Sequence, residues 1–542
     1  MKYRRVARWC CLATVIAIAA LVAFRTYSTY AEDAKPVATK TEEVATTPAV
    51  EKPAETAKPA DAAKPAEEKL KVDPPVAPTP SVALVTTDDL AYAIDNVTLM
   101  LAAVLVIFMQ AGFALVETGL NAAKNAVNIM FKNYMDFCLG ALLFFAFGFG
   151  LMYPDLAGDK KTVLIPGVLE FGTFGIPAQE LGKTIASDSA RHPLGNAVNF
   201  LFQVAFCATA ATIVSGSVAG RIKFSSYLVY TAFISGIVYP ISGMWMWGGG
   251  WLFDIGFKDF AGSIVVHTVG GMAGLAGAIA LGPRIGKYVN GKTMPMPGHN
   301  ITLACLGVFI LLIGWYGFNP GSQLVFTGGV NVDTVMMVAV NTTLAACTGS
   351  IAGMFVSWIL FKKPDLTFAL NGGLAGLVAI TANCHCVSYP SALAIGAIGG
   401  VLVCLAVLLL DKLKIDDPVG AFPVHGIGGV WAGIATGLFG DPALAAFSPD
   451  APLTLTTQII GTLSIAAWSL GMSLALFFGL KVLGLLRVHA EEEIAGLDIS
   501  EHGMYAYPPN QVLDTYGISP VSSAPAITAA PSAITQPSVE GA

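Results

Sequence analysis

Residues 260–282 read FAGSIVVHTVGGMAGLAGAIALG, an apolar stretch long enough to cross a bilayer that contains a single ionisable residue, His267. Residues 421–440 read AFPVHGIGGVWAGIATGLFG and place His425 in similar surroundings. Both histidines are followed by the same pattern, His-x-x-Gly-Gly. Ionisable side chains at membrane depth are energetically expensive and usually functional. Two similar helices from two halves of the chain would bring the two imidazoles together near the bilayer midplane.

The composition of the chain is that of an integral membrane protein. Of its 542 residues, 55% are hydrophobic and 12% are charged, and the mean hydropathy is +0.67. Soluble domains contain about 25% charged residues. Apolar stretches near the ~20 residues needed to cross a bilayer predict an all-α integral membrane fold with eleven transmembrane helices. They lie at roughly 92–118, 134–153, 197–219, 224–245, 260–282, 301–320, 333–360, 366–388, 390–410, 421–440 and 455–486.

Basic residues predict the orientation of these helices. With the N-terminus outside, the loops expected in the cytoplasm carry thirteen lysines and arginines, beginning with Lys124 and Lys132, whereas the opposite loops carry five. The positive-inside rule therefore places the C-terminus in the cytoplasm. An odd number of spans suits two five-helix inverted repeats plus one extra helix. The two histidine motifs would then occupy equivalent positions in helices five and ten.

The segments outside the predicted membrane domain, 89–488, have simple compositions. Residues 1–31 have a basic start and an apolar run, which is typical of a secretory signal peptide, with an uncleaved anchor as the alternative. Residues 32–88 are rich in Ala, Pro, Lys and Glu and predict a disordered extracytoplasmic linker. A cytoplasmic tail, 489–508, precedes a disordered end rich in Pro, Ser and Ala, 509–542. This organisation predicts a multi-pass protein of the cell membrane.

Aromatic and polar residues cluster at the predicted outer ends of several helices. Trp247, Phe206 and Ser322 all fall there, where an interfacial aromatic belt is the alternative interpretation. A ring face attracts a cation by about 0.5–2 kcal/mol, and a serine oxygen can accept a hydrogen bond. Asp259 begins helix five, where it would act either as a helix cap or as a carboxylate that draws cations to the site.

Other chemistry is disfavoured by the sequence. Cys384-His385-Cys386 lacks a second cysteine pair at zinc-site spacing, so we interpret it as small residues near a helix end. The paired histidines could ligate haem only if they faced opposite sides of a large flat pocket, and a Soret band would test that alternative. We therefore predict no metal, no cofactor, no enzyme activity and no nucleic-acid partner.

Five stretches together resemble the ammonium transporter family, the Amt/MEP/Rh group, from about Leu90 to Tyr507. They are FQVAFCATAATIVSGSVAGR at 202–221, MWGGGWLFDIGFKDFAGSIVVH at 246–267, IGWYGFNPGS at 313–322, DDPVGAFPVHGIGG at 416–429 and GLDISEHGMYAY at 496–507. The resemblance implies a homotrimer of eleven-helix subunits, each with its own pore. Trp247 at its position resembles the Amt branch more than the Rh branch.

The resemblance also implies roles for single residues. Trp247, Ser322 and Phe206 would form an outer ammonium site, which Asp259 would support without touching the cation. Phe206 and Phe318 would be the upper and lower rings of a gate. The bore beyond it would be lined by Trp315 and by the hydrogen-bonded pair His267 and His425.

Two departures from the family pattern, and one possible partner, concern the cytoplasmic face. The usual Ala-Glu-Arg at the end of helix three is Ala219-Gly220-Arg221, and helix one carries Glu117 where some members have an aromatic residue. In the family, P-II signal proteins dock at the inner face, and GLDISEHG at 496–503 resembles the segment involved.

The predicted function is ammonium transport in which the cation is selected outside, loses its proton, and crosses the bore as ammonia. A proton relayed separately by the histidines would make transport electrogenic, and the sequence leaves this open. The alternative is an ammonium sensor or transceptor that signals through its C-terminal tail.

Overall fold

The structure is a computed structural model that describes residues 86–177, 194–445 and 452–507. The predicted signal peptide 1–31, the predicted linker up to residue 85 and the C-terminal end 509–542 lie outside the described residues. The predicted membrane domain and tail are described apart from two internal gaps and residue 508.

Helices dominate the described part of the chain. They are α1 (Thr87–Leu120), α2 (Ala123–Met152), α3 (Asn196–Val218), α4 (Phe224–Asp254), α5 (Ser263–Leu281), α6 (Ile301–Gln323), α7 (Gly329–Phe361), α8 (Leu366–Thr381), α9 (Tyr389–Leu413), α10 (Phe422–Phe439) and α11 (Leu455–Val482). Ten of these are long and apolar enough to cross a membrane, and α8 is a shorter apolar helix of 16 residues. The prediction of an all-α, multi-pass membrane fold is confirmed.

Helix α2 begins about ten residues earlier than the predicted span 134–153. Its first turns carry Asn128, Lys132, Asn133 and Asp136, which are all buried against neighbouring helices. These polar side chains lower the local hydropathy, so the apolar pattern detects only the second half of the helix. Lys132, which the sequence assigns to a cytoplasmic loop, is a wholly buried helical residue, and that assignment is wrong.

Helix α8 ends at Thr381, whereas the predicted span continued to 388. The Asn341 side chain of α7 donates to the carbonyl oxygens of Cys384 and Val387, both at 2.9 Å. These bonds supply partners for backbone groups that no longer belong to a helix. Cys384 and Cys386 are buried free thiols in this break.

The repeated Gly-Gly pairs allow α5 and α10 to cross at the two histidines. A methyl group on Gly271 would collide with the backbone nitrogen of Gly426, and one on Gly429 would collide with Thr268 Oγ1. Each helix therefore supplies a glycine where the backbone of the other passes, as small residues do at closely packed membrane helices. The crossing places both histidine segments in one buried layer.

The two ends of the bundle are built differently. At one end, which we call the Trp247 side, Trp251 N donates to Gly167 O of an antiparallel hairpin made by β1 (Thr162–Ile165) and β2 (Leu169–Phe171). At the other end lies a second small hairpin, β3 (Tyr288–Val289) and β4 (Lys292–Thr293).

The end with the second hairpin also holds the C-terminal segment, so we call it the tail side. The short helix α12 (Ala490–Ala495) packs there, and Lys124 Nζ donates to the carbonyl oxygens of Glu493 at 2.8 Å and Ile494 at 2.6 Å. Arg487 pairs with Glu493 at 2.9 Å. These contacts fix the tail against the ends of the membrane helices.

Candidate functional site

Each histidine lies in a π-helical turn at the start of its helix. His267 is in the turn Ser263–Thr268 of α5, and His425 is in the turn Phe422–Ile427 of α10. π-helical turns are rare in proteins and frequently occur at functional sites. The matching turns show that the repeated sequence motif corresponds to a repeated local structure.

An aspartate caps each of these turns eight residues before the histidine. The Asp259 carboxylate accepts backbone N–H groups of Gly262 at 3.1 Å and of Ile264 and Val265 at 2.8 Å. The Asp417 carboxylate likewise accepts from the residues three and five positions after it, at 3.2 and 2.8 Å. Asp417 is not among the residues predicted from the sequence, although the equal Asp-to-His spacing in the two halves is a signal for it.

The two imidazoles, which we call the histidine pair, are in direct contact. His425 Nδ1 and His267 Nδ1 are 3.2 Å apart, so one nitrogen donates to the other. Two imidazoles on opposite faces of one metal ion would stand about 4 Å apart, so this contact leaves no room for a shared metal or haem. His267 Nε2 is buried and has no hydrogen-bond partner among the described residues.

Aromatic rings enclose His267. Its ring stacks on Trp315 with centroids 5.2 Å apart and on Phe318 at the same distance. The Trp315 indole N–H donates to Thr381 Oγ1 at 2.9 Å, which holds the ring in place. The structure thus brings Trp315, Phe318 and the histidine pair together, as the sequence predicts.

Two stacked phenylalanines, which we call the aromatic gate, separate the histidine pair from the Trp247 side. The Phe206 and Phe318 rings are 4.0 Å apart at an interplanar angle of 22°, and both side chains are buried. Stacking at this distance leaves no space for a molecule between the rings. A molecule moving from Trp247 to His267 must therefore displace at least one of them.

Trp247 and Ser322 lie beyond the gate. The Trp247 ring stands edge-on to Phe206 at 6.1 Å, and its N–H donates to Asp259 O at 3.0 Å. Ser322 Oγ donates its only hydrogen to Phe318 O at 2.7 Å. The Ser322 oxygen can therefore act only as an acceptor toward a further molecule.

Asp259 holds the start of α5 and the Trp247 ring in place. Its side chain is wholly buried, and its carboxylate oxygens are occupied by backbone N–H groups while its carbonyl holds the Trp247 ring. The geometry favours the helix-cap interpretation over that of a carboxylate facing a cation. A buried carboxylate with three such partners is a positioning group.

On the tail side of His425 the structure contains a small cavity of about 20 Å³, which we call the lower cavity. It is lined by Phe113, Val116, Glu117, Ile213, Leu311, Asn371, Leu374, Val419, Gly420, Ala421, Val424 and His425. The Phe113 ring lies 5.8 Å from the His425 ring. Phe113 and Asn371 are not predicted from the sequence as site residues, because neither belongs to a repeated motif.

A larger cavity of about 190 Å³, the tail-side vestibule, follows the lower cavity. Its wall includes Arg284, which donates to both carboxylate oxygens of Asp416 at 2.8 and 2.9 Å. Burial raises the pKa of Asp416, but the hydrogen bonds from Arg284 and the charge of Arg221 outweigh it and hold the pKa at about 2. The vestibule thus carries fixed charges, unlike the histidine pair.

Gly220, one of the departures from the family pattern, has a structural explanation. Its φ is +78°, a conformation that favours glycine. The following Arg221 is wholly buried and donates to Gly282 O at 2.8 Å and Asp416 O at 2.6 Å. The segment therefore anchors α3 to the tail-side loops.

Known proteins resemble this chain over most of its length. The profile of the Ammonium Transporter Family matches residues 97–507. A Synechocystis protein named provisionally as an ammonium transporter is 50% identical, over 78% of this chain and 90% of its own. Ammonium transporter Amt2 of Archaeoglobus fulgidus is 42% identical, over 77% of this chain and 88% of its own.

Solved structures agree with this similarity. One titled "Sensor Amt Protein" is 36% identical with a TM-score of 0.68, and the match covers 77% of this chain and all of that one. Mep2 of Candida albicans is 28% identical with a TM-score of 0.64, over 76% of this chain and 90% of that one. Because the family profile matches residues 97–507 and the Synechocystis and Archaeoglobus fulgidus relatives are 50% and 42% identical, this chain belongs to the ammonium transporter family.

Proposed function

We propose that this protein transports ammonium by selecting the cation at Trp247, removing its proton at the aromatic gate and conducting ammonia along the histidine pair. The observation that carries the proposal is the 3.2 Å His267–His425 contact beside the aromatic gate and its surrounding rings. Neutral imidazoles offer a donor and an acceptor without a fixed charge, which suits a small polar molecule better than a cation.

The cation would bind on the Trp247 side. The ring faces of Trp247 and Phe206 attract a cation, each by about 0.5–2 kcal/mol. Ser322 contributes an acceptor oxygen because its own hydrogen is bonded to Phe318 O. An ammonium ion has four N–H donors and can use that oxygen, whereas potassium has none.

The size of the desolvation cost supports deprotonation at the gate. Moving a small cation into a low-dielectric medium costs of order 20 kcal/mol by a Born estimate. The aromatic faces and one hydrogen bond to a charged donor, worth about 1.5–3 kcal/mol, recover only a fraction of this cost. The cation therefore gives up its proton, and potassium, which has no proton to give, is rejected. The histidine pair can also relay the released proton, which would make transport electrogenic.

The architecture we propose follows the family. All eleven helices α1–α11 cross the membrane as two inverted five-helix repeats plus α11, and three subunits form a homotrimer with one pore each. The Trp247 side faces outward and the tail side faces the cytoplasm of a cell membrane. Residues 1–31 are a signal peptide or an uncleaved anchor, and the extracytoplasmic linker that follows ends by Thr86, because α1 begins at Thr87 and not after residue 88. A P-II signal protein is a candidate partner on the tail side.

Uptake of radiolabelled methylammonium into proteoliposomes tests the transport function. We expect saturable uptake that ammonium inhibits and potassium does not, with empty vesicles as the control. Uptake no faster than in empty vesicles, or equal inhibition by potassium, would overturn the proposal.

A second function, ammonium sensing, is favoured by the structural similarity to a protein described as a sensor Amt protein. In this chain Asn128 N donates to Asp498 Oδ1 at 2.8 Å, and Leu497 N donates to Asn125 Oδ1 at 2.9 Å, so the tail is bound to membrane helices that could transmit a change. Hydrogen exchange of the tail with and without ammonium tests this function. A change in tail exchange on addition of ammonium would support sensing. Unchanged exchange would rule sensing out and leave transport as the proposed function.

A further inference from the structure

Glu117 is a buried carboxyl group on the wall of the lower cavity. Its side chain, in α1, is only 2% exposed, and it shares the cavity wall with His425. The cavity volume of about 20 Å³ slightly exceeds the roughly 10–15 Å³ needed for one water molecule. Ammonia and water are similar in size, so one molecule in this space meets both an imidazole and a carboxyl group.

A hydrogen-bond chain holds Glu117 in this position. Thr212 Oγ1 donates to Asn133 Oδ1 at 2.5 Å, which fixes the orientation of the Asn133 amide. The amide nitrogen then donates to Glu117 Oε2 at 3.1 Å. The carboxyl group is therefore oriented by residues of α2 and α3 and does not swing freely in the cavity.

The charged groups that act on Glu117 are Lys132 and Asp136 of α2. Lys132 is wholly buried, and its Nζ donates to Ser215 O at 3.2 Å. Asp136 is also wholly buried and accepts from Thr231 Oγ1. The two carboxyl groups thus have one lysine charge acting on both of them. Because buried charges require compensation, neutrality of these three groups needs one carboxyl proton.

A narrow exit separates the lower cavity from the tail-side vestibule. Asn371, Val419 and Gly420 line both spaces, and Asn371 Nδ2 donates to Val419 O at 3.2 Å. The vestibule beyond it is lined by Arg284, Asp417 and the ion pair of Lys287 with Asp411 at 3.1 Å. A cation that forms in the lower cavity therefore leaves into a wider space with charged walls.

We propose that Glu117 is a proton-exchange group that converts ammonia back to ammonium in the lower cavity. The lone pair of ammonia forms an N–H bond with the carboxyl proton while the Glu117 O–H bond breaks, and ammonium leaves past Asn371 into the vestibule. The carboxylate regains a proton that the histidine pair passes through a molecule in the cavity. This inference rests on the proposed transport function, and it makes transport electrogenic, with one ammonium proton crossing per ammonia.

The test is the ammonium-induced current of proteoliposomes on a supported membrane, measured beside methylammonium uptake. Glu117→Gln keeps the shape and the acceptor oxygen but cannot exchange a proton, and we expect its current to fall about 100-fold, in the range for loss of an acid–base group. Glu117→Asp, which keeps a carboxyl group, should retain a measurable part of the wild-type current. Asp95→Asn, at the opposite end of the same helix, is the matched control and should keep the wild-type current.

A second readout separates exchange from a purely structural role. Ammonium should change the carboxyl C=O band in the infrared difference spectrum of the wild-type protein and of Asp95→Asn, and Glu117→Asp should shift that band. If Glu117→Gln does not fold, the infrared spectra of the wild-type protein and of Glu117→Asp decide alone. The absence of an ammonium-induced carboxyl band in the wild-type protein would overturn the inference.

The remaining outcomes distinguish the two proposals. Wild-type protein without ammonium uptake would overturn the transport function and the inference with it. Wild-type uptake without current, or a Glu117→Gln current equal to that of the wild type, would overturn the inference alone.

Discussion

The segments Asp259–His267 and Asp417–His425 have the same local design but different surroundings. Each has a capping aspartate, a glycine with positive φ three residues later and a histidine in a π-helical turn. His267 is enclosed by the rings of Trp315 and Phe318, whereas His425 faces the lower cavity. One backbone unit, used twice, thus places two similar imidazoles in different surroundings, one among aromatic rings and one beside a cavity.

The asymmetry of the proposed pore therefore lies in the neighbours of the histidines. On the Trp247 side the neighbours are aromatic rings, which in the proposed mechanism attract a cation. On the tail side they are a carboxyl group and a cavity. Variants that affect one side and spare the other can therefore test whether the two segments have different roles.

The largest effect is expected for the histidines themselves. Removing either ring leaves its partner imidazole with an unpaired nitrogen in an apolar bore, which is costly. We expect His267→Ala and His425→Ala each to reduce saturable methylammonium uptake about 100-fold or to admit potassium. His489, exposed on the tail side, supplies the control variant His489→Ala. Wild-type rate and selectivity in both pore variants would contradict the shared role of the pair.

The next effect concerns the glycines that let the two segments meet. Gly271→Ala places a methyl group against Gly426 N and should destabilise the protein by about 1–3 kcal/mol, as overpacking does. It should also slow uptake because the histidine pair separates. Gly471→Ala is the matched control, since a methyl group there meets no atom within 4 Å. Thermal unfolding in detergent and uptake measure both effects, and equal behaviour of the two variants would disprove the close crossing.

The sequence predicts the histidine pair because the same motif occurs twice, and it predicts the aromatic gate through the family resemblance. It does not predict the start of α2, because Lys132 looks like a loop residue until its burial against α3 and α4 is known. The lower cavity is also hidden, since its wall combines Glu117, Asn371 and His425 from three distant parts of the chain. Such features depend on packing between helices, which a local pattern does not record.

A smaller effect is expected on the Trp247 side, and it should be confined to binding. Trp247→Leu removes one cation-attracting face worth about 0.5–2 kcal/mol, so the apparent Kd for methylammonium should rise about 2- to 30-fold. The maximal rate should change little, because the histidine pair is intact. Trp358→Leu, which alters an exposed tryptophan of α7, is the control. An unchanged Kd would remove Trp247 from the cation site.

The smallest effect is expected in the tail. The His502 ring lies between Phe131 and Phe224, with centroids 5.1 and 5.0 Å away, and burial lowers its pKa below the ordinary value. The docked tail therefore favours the neutral ring, and docking is complete above about pH 6.5 and weakens as the pH falls through that value.

Hydrogen exchange of residues 490–507, corrected for intrinsic rates, measures this release. Exchange should accelerate as the pH falls from about 8 to about 5, the range in which histidine titrates. His502→Phe keeps the aromatic packing without the titration, so its exchange should not respond. The same pH response in both proteins would assign the release to another group.

Charge loss at the gate is tested most directly by comparing ammonium and potassium in the same proteoliposomes. After vesicles have been shown to take up ammonium, a potassium gradient of equal size is applied and the potassium flux is measured. If the cation loses its proton at the gate, we expect ammonium flux with a potassium flux no greater than in empty vesicles. A potassium flux that approaches the ammonium flux would mean that an intact cation crosses the bore, and deprotonation at the gate would be wrong.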